Sequence, residues 1–110
     1  MKKEQFENAI KSIAGELAKA EEKHPFFAHD PVTDITAIIT EEMLDNARSE
    51  LSMQVSSGCV CGAVVLGCEV SEAMDAYAFG DLVHCYEELA QCGAVILRMM
   101  EGVEKKIMEA

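Results

Sequence analysis

Apolar residues recur along this chain at intervals of three and four, the period of one helix face, and nowhere in a convincing β-alternation. Phe6, Ile10, Ile13 and Leu17, with Ala9, Ala14 and Ala20, predict a first helix over about residues 4–23. His24-Pro25 ends it, because a residue before proline avoids helical backbone angles. Pro25-Phe26-Phe27-Ala28-His29 reads as a connector whose two rings pack under the helices. Asp30-Pro31 pairs an N-cap carboxylate with a proline at the first helical position, and so predicts a second helix running to about Ser56. Ser57-Gly58 breaks it. A third helix is expected from near Val60 to about Ala78, and a fourth, after Gly80-Asp81, over about residues 81–108. Leu82, Tyr86, Leu89, Gly93, Ile96, Met100, Val103 and Ile107 step along this last helix by four and three, the spacing of a knobs-into-holes partner helix. Short links between long helices favour antiparallel neighbours, so the expected fold is all-α, a four-helix antiparallel bundle that oligomerises.

The chain has 110 residues, half of them hydrophobic, which suits one domain over residues 1–110 and a core built without disulfides or structural metal. Nine lysines and arginines against twenty aspartates and glutamates give a net charge of −11. That charge argues against nucleic acid and anionic membranes as partners. The longest uncharged stretch, Leu51 to Cys68, is strongly apolar only over about its last ten residues, too few to span a bilayer. No signal-peptide pattern opens the sequence, and a cytoplasmic location is expected. Five cysteines, 59, 61, 68, 85 and 92, are then free thiols, and the Cys59-Val60-Cys61 spacing lacks the second pair of a zinc site.

Certain acids stand where apolar residues are expected. Ile35, Ile38 and Ile39 open a stripe on helix two that continues through Glu42, Asp45, Asn46 and Ser49 to Met53, with Glu41 on its flank. On helix three Glu69 and Glu72 share a face with Val65, Ala76 and Phe79. On helix four Glu88 lies among Cys85, Cys92, Val95 and Met99, beside the main seam. Buried carboxylates are costly unless paired, and Arg48 and Arg98 are the chain's two arginines. A hard divalent cation is the natural compensation: Mg²⁺ takes oxygen ligands, and acids one helical turn apart can share it. His84, one turn before Glu88, reads as a helix-surface residue, with a supporting contact to Glu88 as the alternative.

Ala37-Ile38-Ile39-Thr40-Glu41-Glu42-Met43-Leu44-Asp45 resembles the E-E-x-x-E helix of MazG-like proteins, the all-α nucleoside triphosphate pyrophosphatases. His24-Pro25-Phe26-Phe27 with Asp30-Pro31 is similar to the entry into that helix in short phage-type and bacterial members. Gly80-Asp81-Leu82, Glu87-Glu88-Leu89-Ala90-Gln91-Cys92-Gly93-Ala94 and Arg98 resemble the family's closing helix. The resemblance covers about residues 20–101. Val65-Leu66-Gly67-Cys68-Glu69-Val70-Ser71-Glu72-Ala73 offers a second register of the same motif, with a better gap to Glu88. Helix two is favoured for its aromatic-proline entry, with Glu69 and Glu72 joining the same ion. Asp45 stands where the family has glutamate, and Gln91 where its stronger members have aspartate.

The resemblance implies hydrolysis of a nucleoside triphosphate to the monophosphate and pyrophosphate. It makes Mg²⁺, or Mn²⁺ in its place, the cofactor, with Glu42, Asp45 and Glu88 as ligands and Glu69 and Glu72 beside them. Glu41 becomes the general base toward water, and Arg48, Arg98 and Gln91 the groups facing the substrate. A homodimer or homotetramer is expected. The alternative is a catalytically degenerate relative, a helical accessory protein that acts by dimerising.

Overall fold

The structure, a computed structural model, describes residues 1–24 and 37–110, with side chains in the second segment from Thr40 onward. The aromatic connector, the Asp30-Pro31 helix start and the side chains of Ile35, Ile38 and Ile39 lie outside the described residues. Four α-helices make up nearly all of what is described, and no strand occurs among those residues: α1 Lys3–Lys23, α2 Ala37–Ser57, α3 Gly62–Ala78 and α4 Leu82–Glu109. None of them is long and apolar enough to cross a membrane.

The chain divides into two compact units, Met1–Asp30 with Leu97–Ala110, and Pro31–Ile96. In the first, α1 opens with the Gln5 side chain accepting the Lys2 amide at 3.0 Å and closes with the His24 amide on the Ala20 carbonyl at 2.8 Å. The terminal ammonium of Met1 lies 3.7 Å from Glu101 Oε2. Ala9 is the buried residue of α1, while the large apolar side chains Phe6, Ile10, Ile13 and Leu17 are exposed.

In the second unit α2 and α3 pack together as a helical hairpin. Both end in the same device. After α2, Gly58 has φ +71°, its amide meets the Val55 carbonyl, and the Cys59 amide reaches back to Gln54. After α3, Gly80 has φ +80°, its amide meets Tyr77, and the Asp81 amide reaches back to Ala76. Each is a left-handed glycine cap that satisfies carbonyls the helix leaves open. Asp81 then turns from closing α3 to opening α4, its Oδ1 accepting the His84 amide at 3.2 Å. At the head of α3 the N-cap is Cys61, whose amide donates to Gln54 Oε1 at 3.0 Å and so ties the turn to α2.

Small side chains build the core here. Ala73 and Ala76 of α3 meet Cys85 of α4, with Met74 and Tyr77 half-buried against them. Cys68, Ser71, Cys92 and, from α2, Thr40 and Leu44 are buried as well.

Two expected faces are corrected. The α2 stripe through Glu42, Asp45, Asn46, Ser49 and Met53 is exposed, Met53 at 73%. The covered line runs instead through Thr40, Leu44, Ala47, Leu51 and Gln54, an equally helical 4-3-4-3 progression set two residues further along. The α4 seam through Leu82, Tyr86, Leu89 and Ile96 is likewise exposed, Tyr86 at 77%. The face beside it, Cys85, Glu88 and Cys92, is the one the chain covers. The physical reason is fit: α3 presents Ser71, Ala73 and Ala76, and thiol-sized side chains mate with that surface where leucine and tyrosine would hold the helices apart.

Candidate functional site

Within the second unit, Glu69 and Glu72 of α3 and Glu88 of α4 converge: one carboxylate oxygen from each lies within 4.8 Å of the others. Glu69 and Glu72 stand one helical turn apart, so α3 turns both toward α4. Glu88 sits between Cys85 and Cys92 on the covered face of α4, and is only 6% exposed.

The three carboxylates differ in their neighbours. Glu72 Oε1 lies 3.6 Å from the Arg48 guanidinium of α2 and accepts the Cys68 thiol at 3.8 Å. Glu88 Oε1 is 3.0 Å from His84 Nε2. Glu69 Oε2 and Glu88 Oε2, both shut from solvent, meet no donor among the described residues.

This crowding redistributes protons. Glu69 is raised to about 7, first because its protonated form donates to Glu88, then through burial and the charges of Glu88 and Glu72. Burial, ahead of the Glu88 contact and its charge, pushes Glu72 up, while Arg48 opposes the rise. Glu88 moves the other way: hydrogen bonds offered by Glu69, Glu72 and His84 hold it below the ordinary glutamate value, against the effect of burial. Burial and the nearby carboxylates also raise the thiols of Cys68 and Cys92. Once all three acids ionise, the two buried oxygens have neither proton nor donor. That is the electrostatic condition a cation relieves.

The donor set fits a hard divalent cation. It is all oxygen and anionic, and it comes from rigid helices. Around an octahedral Mg²⁺ one pair of the three oxygens can stand on opposite sides, about 4.2 Å apart, and the remaining pairs stand about 3 Å apart, so carboxylates spread over as much as 4.8 Å would draw together by side-chain rotation to share one ion. Glu69, Glu72 and Glu88 are the residues that would hold such an ion.

Of the residues expected at the site, the structure brings together Glu69, Glu72 and Glu88, with Arg48 beside them. Glu41, Glu42 and Asp45 carry exposed side chains on α2 and stand outside this cluster. Gln91 is exposed on α4, and Arg98, also exposed, falls in the segment belonging to the other unit. For His84 the sequence favours the surface over a supporting contact to Glu88. Its ring is half in solvent and also bonded to Glu88, a contact signalled by their separation of four residues on one helix. Asp75, one turn beyond Glu72, went unremarked, yet its Oδ1 is buried without a hydrogen-bond partner among the described residues.

No family model, curated protein or solved structure matches the chain.

Proposed function

We propose that this chain is a Mg²⁺-dependent nucleoside triphosphate pyrophosphohydrolase of the MazG-like kind, with Glu69, Glu72 and Glu88 holding the ion. One observation carries the reading: three carboxylates from two helices meet at one point, and two of their oxygens are buried with no donor once ionised. The α3 register of the acidic motif is therefore preferred to the α2 register.

In the proposed reaction water attacks the α-phosphorus, the bond to the bridging oxygen of the β-phosphate breaks, and the monophosphate and pyrophosphate leave. A bound divalent ion supplies neutralisation of phosphate charge and orientation for in-line displacement. Arg48, at the edge of the cluster with its side chain 58% exposed, is placed to meet a phosphate oxygen while keeping its pairing with Glu72. Glu41 is given no step, because its exposed carboxylate stands outside the cluster. We also propose a homodimer or homotetramer, supported by the uncovered Leu82, Tyr86 and Leu89 of α4. A non-catalytic dimerising module is the second reading. It is favoured by the same exposed seam and by neutral Gln91 on the α4 surface.

The test is pyrophosphate release across a panel of nucleoside triphosphates, with melting curves in Mg²⁺ or Mn²⁺ and in EDTA. Ion binding to the native state should raise the Tm with ion concentration. Glu88→Gln should cut Mg²⁺-dependent release by about 100-fold or more, since it removes a charged ligand. A silent panel with melting curves that ignore divalent ions would leave only the dimerising module.

A further inference from the structure

The three groups Asp81, His84 and Glu88 form a chain along the first two turns of α4. Asp81 caps the helix by accepting the His84 amide at 3.2 Å, and its other oxygen lies 3.8 Å from His84 Nδ1. The opposite ring nitrogen, Nε2, is 3.0 Å from Glu88 Oε1. Glu88 is thus a buried carboxylate with one oxygen engaged and one without a donor. A carboxylate at the end of a glutamate turns freely about its last torsion unless something distinguishes its two oxygens. Here the imidazole does so, and the ring is itself aimed by the residue that starts the helix.

We propose that His84 is a positioning residue: by donating from Nε2 to Glu88 Oε1 it fixes the rotation of that carboxylate and reserves Oε2 for a divalent cation shared with Glu69 and Glu72. The proposal rests on the metal reading above and adds to it a group that touches neither ion nor substrate. Histidine suits the task because its ring spans two carboxylates with fixed geometry, Asp81 on one side and Glu88 on the other. A glutamine at the same position keeps a terminal N–H donor of comparable reach. Leucine keeps bulk and helix propensity without the donor. Since the His84 side chain is half exposed, neither change unpacks the Ala73–Ala76–Cys85 core.

The experiment is calorimetric titration of Mn²⁺ alone into wild type, His84→Leu and His84→Gln, each checked for helix content by circular dichroism. His84→Leu is expected to weaken Mn²⁺ binding about 10- to 100-fold, and His84→Gln to stay within about threefold of wild type, the scale set by groups that orient metal ligands. A leucine variant that binds Mn²⁺ like wild type, or a glutamine variant as weak as the leucine one, overturns the positioning role. Long-range ¹H–¹⁵N spectra of the metal-free chain give the second readout. They should place a proton on His84 Nε2 whose resonance moves in Glu88→Gln, and a ring protonated only at Nδ1 overturns the proposal. If wild type binds no Mn²⁺, the metal reading falls, and the spectrum still decides whether His84 holds Glu88.

Discussion

Glu69 keeps its proton to about pH 7 in the folded chain, against 4.5 for a free glutamate. Between those values the native state binds a proton that the unfolded chain has released, so its contribution to stability declines as pH rises through that interval. The lowered pKa of Glu88 acts in the opposite sense, giving stability present above the ordinary glutamate range and lost as pH falls below it. In EDTA the Tm is therefore expected to drop between about pH 5 and about pH 7.5, and Glu69→Gln to flatten that drop. On the proposed function, Mn²⁺ in place of the missing proton should restore the Tm at the alkaline end. At this scale the sequence was partly legible. Glu69, Glu72 and Glu88 were readable because each interrupts an apolar line on its own helix. Which of five candidate acids share a point was not, because that depends on how α3 and α4 are rotated against each other. The proton balance among them was hidden for the same reason.

Helix ends were the most legible elements. Ser57-Gly58 and Gly80-Asp81 announce their turns, and both glycines adopt the left-handed conformation that other residues resist. A Cβ at Gly80 would meet nothing within 4 Å, so the cost of adding one is purely conformational. Gly80→Ala should lower stability by about 1 to 2 kcal/mol in urea unfolding, with helix content retained. Helix faces were less legible. A stripe extended from Ile35, Ile38 and Ile39 at steps of three and four leads to Glu42 and Asp45, whereas α2 covers the line through Thr40 and Leu44. Two stripes two residues apart satisfy the same period, and Thr40, a polar residue 1% exposed, gave no hydrophobic signal to choose between them.

At the scale of the whole molecule, the 4-3 seam of α4 is plain in the sequence and motivates the expected oligomer. Leu82, Tyr86 and Leu89 stand uncovered, and Cys85, Glu88 and Cys92 beside them form the face that the chain covers by itself. Leu82, Tyr86 and Leu89 are all exposed, so replacing Tyr86 and Leu89 together by glutamate leaves the α3–α4 core intact. The proposed oligomer predicts that wild type sediments as a dimer or tetramer and that this double variant sediments as a monomer. Sedimentation of wild type as a monomer at tens of micromolar would remove the oligomer from the proposal. The chain's thiols are sorted just as sharply. Cys59 and Cys61 are open to solvent, and the Val64 amide, the Gln54 side chain and the Ala63 amide favour the Cys61 thiolate, whereas Cys68, Cys85 and Cys92 are enclosed and held as thiols. A maleimide dye should thus tag the head of α3 within minutes, Cys61 first, and reach the other three only when the helices part, so the slow phase of labelling becomes a clock for how often the acidic cluster opens.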